Sequence, residues 1–235
     1  MNKKVVKISR FFAATGVVVI LGLHGGIPHA AEPTAPPATA PVTAPPAGQY
    51  QLDKSHASLV FRVSHLGFST YTSRFSRFDA ELTFDPRNIP ASKVVTTIDA
   101  TSLEMDAAPA FCLDIVKGQQ MLDTAKFPKI VFRSEKVRMT GAKSMEITGT
   151  LDLHGVTRPV VLTGSFNGGY AGMPKMDPQA RVGFSAHGSL KRSDFGITFG
   201  VPAPGTTMGV GDLIDFSIEA EFTGPPLATP AGESH

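Results

Sequence analysis

Four stretches of this chain alternate apolar and polar side chains with a period of two, and that period restricts the fold more than any other feature. In SLVFRVSH, Leu59, Phe61, Val63 and His65 share one parity, opposite Ser58, Arg62 and Ser64. In SMEITGTLDLH, Met145, Ile147, Gly149, Leu151 and Leu153 oppose Glu146, Thr148, Thr150, Asp152 and His154. ARVGFSAHGSLK sets Ala180, Val182, Phe184, Ala186 and Leu190 against Arg181, Ser185, His187 and Lys191. DLIDFSIEAEF sets Ile214, Phe216, Ile218, Ala220 and Phe222 against Asp215, Ser217, Glu219 and Glu221. Successive side chains of a strand point to opposite faces, so each stretch is a strand with one dry and one wet face, the habit of antiparallel sheets.

Further strands are predicted at 70–84, 92–101, 129–139 and 159–167. The first changes phase: Tyr71 and Phe75 are odd, whereas Phe78, Ala80, Leu82 and Phe84 are even, which predicts a bulge or sharp bend near Arg77. APAFCLDIVKGQQML predicts one short helix with Phe111, Ile115, Met121 and Leu122 on its apolar face and Gly118 as its weak point. Eight strands and one short helix predict an all-β, eight-stranded antiparallel barrel. Eight is also the smallest common strand number that leaves room for one ligand inside.

The alternation holds from about residue 49 to 222, the predicted folded domain. Upstream, MNKKVVKISR carries four basic residues and no acid, followed by the apolar run Phe11 to Leu23. That order predicts a signal peptide over 1–31, and hence a periplasmic or secreted protein, with a retained N-terminal anchor near a membrane as the alternative. Residues 32–48 hold six prolines in 17 positions, a composition that cannot bury a core and predicts an extended Pro/Ala-rich linker. Residues 223–235 predict a disordered tail of similar kind.

Removing 1–31 takes away four of the 22 Lys and Arg residues and none of the 20 Asp and Glu residues, so the basicity belongs to the leader. The remainder is slightly acidic, which argues against nucleic acid as a partner. Cys112 is the single cysteine and cannot form an intrachain disulfide, although it allows a homodimer. Flanked by Phe111 and Leu113, it reads as a small apolar residue.

Neither catalytic nor metal chemistry is indicated. His56 and His65 fall on opposite parities, and no His-x-His, His-Glu-x-x-His or Gly-x-Ser-x-Gly spacing is present. Ser55-His56 and Ser64-His65 are adjacent pairs whose side chains point to opposite faces of a strand. His154 and Arg158 in LDLHGVTRPV look like a pair on a loop, but Leu151 and Leu153 take the inward parity, leaving a hairpin turn with His154 outside. The connection at 195–212, rich in glycine and proline, begins at Arg192-Ser193-Asp194, which offers Arg192 as a contact for a polar head group. Candidate pocket residues are Phe61, Val63, His65, Phe132, Leu151, Leu153, Phe184, Phe216 and Ile218, with His65 at the rim.

Five motifs then carry a resemblance. Tyr50-x-x-Asp53-x-x-His56, Phe61 to Gly67, Phe127-Pro128-Lys129-Ile130-x-Phe132-x-Ser134, Leu151 to Val160 and Arg192 to Gly196 resemble, in order, the motifs of YceI-like proteins. The chain departs from the usual pattern at Ala57, at Ser73-Arg74 and at Met121-Leu122. The resemblance implies a lipocalin-like barrel with an elongated apolar pocket for a polyisoprenoid or other long-chain lipid, and no enzymatic activity. It implies no cofactor beyond a bound isoprenoid quinone or polyprenyl lipid. Carriage or sequestration of a lipid is the first expectation. The alternatives are a quinone-binding accessory of membrane electron transfer and a lipid-modifying enzyme using His65 or Arg192.

Overall fold

A computed structural model describes residues 43–227. The expected leader at 1–31, most of the expected linker and the residues from 228 onward lie outside the described residues. The elements run β1 (Gly48–His65), β2 (Ser69–Phe75), β3 (Phe78–Phe84), β4 (Lys93–Asp99), β5 (Leu103–Glu104), α1 (Ala110–Lys117), β6 (Lys129–Met139), β7 (Ser144–Leu153), β8 (Val156–Tyr170), β9 (Gln179–Lys191) and β10 (Val210–Pro226). Short 3-10 turns occupy Ile89–Ala91, Ala100–Ser102 and Arg192–Phe195.

Every pairing is antiparallel, and the last strand returns to the first: Leu59 lies opposite Ile218, Phe61 opposite Phe216 and Val63 opposite Ile214. The other edge of β1 is shared, with β3 at Gly48–Gln51 and β2 at Val60–His65. Thus β2 and β3 are two halves of one strand, broken at Ser76–Arg77 where the change of phase predicts a bend. Arg77 donates to the Asp99 carboxylate at 2.7 and 2.9 Å, tying the bend to the end of β4. Counting these halves together, and β5 as the continuation of β4, the sheet is a closed eight-stranded barrel with one helix.

Two boundaries differ from the sequence expectation. β10 continues to Pro226, four residues past the expected limit at Phe222, because Thr223 still pairs with Gln51 and Arg181. The helix stops at Lys117 instead of reaching Leu122, since Gly118 takes extended backbone. Its apolar face is also different: Leu113 and Val116 pack on the core, while Phe111 is 64% exposed and Ile115 is exposed. Eight residues make barely two turns, so the helix is held by this packing more than by its own propensity. Cys112 is half-buried and unpaired.

One irregularity of β1 is absent from the sequence expectation. Leu52 pairs with Phe222 and Ala57 with Ala220, so Asp53 to His56 bulge out of the ladder and the inward parity switches from Tyr50 and Leu52 to Leu59 and Phe61. The Asp53 carboxylate organises the bulge. It accepts from the Ser55 amide at 3.1 Å and hydroxyl at 2.5 Å, from His56 Nδ1 at 2.9 Å, and from Arg181 Nη1 at 2.6 Å. Those bonds, led by Ser55 and then Arg181, hold the Asp53 carboxyl well below the ordinary carboxylate range. A depressed carboxylate stabilises the fold above its unfolded pKa and ceases to do so as pH falls through the folded one. Asp53→Asn is therefore expected to cost about 2 kcal/mol near neutrality. Urea unfolding at stepped pH should show the wild-type advantage shrinking below about pH 4; an advantage independent of pH would refute the assignment.

Candidate functional site

The inward rows of the barrel strands are mostly apolar, and the rows do not meet in the middle. They surround a cavity of about 270 Å³ that extends from Ile89, Val137 and Met145 near the β6–β7 turn to Met121, Leu190 and Ile197 at the other end. An eight-stranded barrel is just wide enough for this. Glycines in the strands let lining rings lie flat on the wall: a Cβ at Gly188 would come within 2.7 Å of the Phe216 ring. At one end, Tyr50, Phe84, Phe166, Phe184 and Phe222 close the barrel with ring centroids 5.3 to 6.2 Å apart, in tilted and edge-on contacts. Phe184 and Phe222 form the cavity side of this plug.

Of the residues singled out from sequence, Phe61, Phe132, Leu151, Leu153, Phe184, Phe216, Ile218 and Arg192 line the cavity. Val63 and His65 do not. They share the parity of Phe61 but lie at the end of β1, where His65 pairs with Ser69 and Val210 and is exposed. His65 thus stands at the end of its strand, outside the cavity lining. Lining residues missed from sequence include Phe75 and Ile130, on parities that the sequence pattern marks as apolar, and Ile98 and Leu162, on strands whose positions were legible but whose faces were left unassigned.

Arg192 is 4% exposed, and its environment differs from that of a free head-group contact. Nε donates to Gly211 O at 2.9 Å, Nη1 to Ile197 O at 3.1 Å and Phe199 O at 2.8 Å, and Nη2 to Val210 O at 2.8 Å. Four of the five guanidinium N–H groups thus hold the β9–β10 connection over the barrel end. Burial pulls its pKa below the ordinary arginine value, with Asp212 opposing the shift. Asp212 itself accepts from the Ser193 amide and hydroxyl at 2.9 and 2.8 Å.

The same connection is gripped from the β7–β8 turn. His154 and Gly155, at φ 55° and 73°, form a two-residue turn, so Val156 and Thr157 already belong to β8. His154 Nδ1 lies 3.1 Å from the Phe195 carbonyl, which can only accept, so the imidazole donates. Its ring meets Phe127 edge-on with centroids 4.9 Å apart, and Arg158 Nε donates to Asp194 O at 3.2 Å. Neither side chain enters the cavity. Pro159 pairs only with Thr150, ahead of the point where β8 meets β9, so no ladder donor is missed.

Among the described residues, Asp53, His56 and Glu221 come close enough to share one cation. Arg181 Nη1 already sits 2.6 Å from Asp53 and 3.4 Å from Glu221, and its Nε bonds Asp177, so a guanidinium balances this cluster. That cluster lies outside the cavity, whose wall is mostly apolar. Arg192→Met should leave one buried and three part-buried carbonyls short of a donor and cost about 2 kcal/mol or more. Hydrogen exchange should accelerate across 196–211 first, whereas uniform loss of protection would mean that Arg192 does not act through this segment.

Residues 50–222 match the YceI-like domain family. A UPF0312 protein of Vibrio cholerae serotype O1 is 34% identical over 177 residues, covering 74% of this chain and 87% of the relative. The crystal structure of a Campylobacter jejuni YCEI protein superposes with a TM-score of 0.58 at 26% identity, over 69% of this chain and 90% of that one. A polyisoprenoid-binding domain from Saccharophagus degradans, implicated in plant cell wall breakdown, shares the fold with a TM-score of 0.54 at 15% identity, over 75% and 98%. With its motifs in order along a closed barrel and a family match spanning the whole folded domain, this chain belongs to the YceI-like domain family.

Proposed function

We propose that this domain binds a long-chain amphiphile, a polyisoprenoid lipid by preference, and carries or sequesters it outside the cytoplasm without changing it chemically. One observation carries the reading: the barrel lumen is an apolar channel running most of its length, with Arg192 committed largely to a loop. Met145 and Leu153 lie eight residues apart on β7 and both line the channel. At about 3.4 Å per residue and a tilt near 40° that span is roughly 20 Å along the barrel axis. Carbon–carbon bonds of about 1.5 Å at about 111° advance an extended chain by some 1.25 Å each, so roughly 16 fit. At about 0.8 kcal/mol per buried methylene, a dozen carbons give about 10 kcal/mol before association costs. A lumen of this kind needs few polar contacts, and channel length and shape can select the chain. The polyisoprenoid-binding domain from Saccharophagus degradans, which shares the fold, supports the choice of lipid class.

Solvent extraction of the purified protein followed by mass spectrometry tests the reading, together with titration of delipidated protein by polyprenyl alcohols, isoprenoid quinones and fatty acids. The expected result is a co-purifying amphiphile that rebinds. An extracted quinone whose absorption changes on reduction would assign the electron-transfer role instead. Recovery of nothing, with no rebinding, would overturn both, and turnover of an added lipid would overturn the carrier role. Gly188→Ala pushes the Phe216 ring off the wall and into the lumen, and should weaken lipid binding about tenfold while the barrel stays folded by circular dichroism.

A further inference from the structure

Among the described residues, one fully buried side-chain oxygen has no hydrogen-bond partner, and its residue lines the lumen. Ser92 is 7% exposed, lines the cavity, and its hydroxyl makes no hydrogen bond among the described residues. Its backbone is fully explained: the amide donates to Ile89 O at 2.9 Å, ending the 3-10 turn that leads into β4. The side chain continues the inward row of Val94, Thr96 and Ile98, each of which lines the cavity. It stands at the end walled by Leu82, Ile89, Val137 and Met145, away from Arg192. A buried hydroxyl without a partner costs free energy that a well-packed wall would avoid by using alanine.

We propose that Ser92 is a ligand contact, the anchor for an uncharged oxygen of the bound amphiphile: a hydroxyl, or the carbonyl of a ketone, ester or quinone. The inference rests on the lipid-carrier reading and deepens it by fixing the chemistry and position of one polar atom of the ligand. A serine hydroxyl offers one donor and two acceptor sites and no charge. The surrounding aliphatic walls would make a charged head costly to bury at this position. Lys93, next in the chain, belongs to the outward parity, is exposed, and donates its ammonium to the Glu135 carbonyl. Lys93 also borders the cavity, but with its ammonium engaged by Glu135 the fully buried, unpartnered oxygen at this end is the Ser92 hydroxyl; Thr96 lies on the same row.

The test uses delipidated full-length protein and three probes with one common chain: a linear isoprenoid alcohol, the corresponding hydrocarbon and the corresponding phosphate. The wild type should bind the alcohol about three- to tenfold more tightly than the hydrocarbon, the range of one neutral hydrogen bond. Ser92→Ala should abolish that preference and leave hydrocarbon affinity unchanged. A long-chain ketone should show a lower carbonyl stretching frequency bound to the wild type than bound to Ser92→Ala. The variant removes one oxygen and adds no volume, so its ligand-free thermal midpoint should equal or exceed that of the wild type. A lower midpoint would show that the hydroxyl serves the fold and would overturn the proposal. Equal affinity for alcohol and hydrocarbon, or a preference that survives Ser92→Ala, would mean that water alone meets the hydroxyl while the cavity still takes lipid. Tighter binding of the phosphate would overturn the uncharged head. Failure of all three probes would instead overturn the carrier reading, and this inference with it.

Discussion

The pairing of β1 with β10 is the constraint on which the rest depends. It joins Gln51 to Thr223 and Val63 to Ile214, closing the sheet with residues separated by nearly the whole length of the domain. Closure satisfies the two backbone edges that an open sheet would present to solvent or to another chain. It also bounds the interior. An eight-stranded barrel is just wide enough either to be filled by side chains or to hold one small ligand, so the side chains that face inward decide whether a lumen remains. What the sequence can vary is how that volume is distributed, and here five aromatic rings pack one end while the remainder stays open.

Closure has a further requirement, that long strands bend without losing their inward faces. The chain meets it at several breaks in register, one of them in β6 between Ser134 and Lys136, and two of them carry an ion pair. At Ser76–Arg77 the strand divides and the bend is tied down by Asp99; at Asp53–His56 three extra residues leave the ladder and Asp53 gathers their donors. Both breaks use a carboxylate facing an arginine on the outside of the barrel, so the polar work of curvature is done in solvent contact and the lumen stays dry. The Arg192 guanidinium is the exception. It does from inside, through backbone carbonyls, what those pairs do from outside, because the segment it restrains folds back over the barrel end.

These features differ in how legible they were. The strands, the single helix and the phase change near Arg77 could be read from the sequence because period-two alternation reports directly which side chains face a dry interior. Inward residues in the middle of strands, such as Phe132, Leu151 and Phe216, followed from the same pattern. Val63 and His65 lie outside the lining at the end of β1: parity assigns a face, but only topology shows where the lumen stops along that face. The Asp53 bulge was hidden because inserted polar residues look like any polar stretch until the partner strand reveals the register. Helix parity misled for a related reason. Over two turns, Leu113 and Val116 fit the core as well by spacing as Phe111 and Ile115, and the packing partner decides.

Ser92 was hidden for the opposite reason, and it indicates how a barrel of this kind acquires chemical selectivity. A serine at a strand boundary reads as a turn residue, and by its backbone it is one. Only the enclosed lumen turns its side chain into a buried hydroxyl. Selectivity from channel length alone distinguishes chains weakly, because one methylene more or less is worth about 1 kcal/mol. A single buried hydroxyl adds a term of comparable size that acts on a different property, the presence and position of an oxygen. A wall built mostly from methyl and methylene groups makes that term count. On the proposed reading, the apolar rows would set how long a chain the lumen can take, and the Ser92 hydroxyl would set which way round the chain lies.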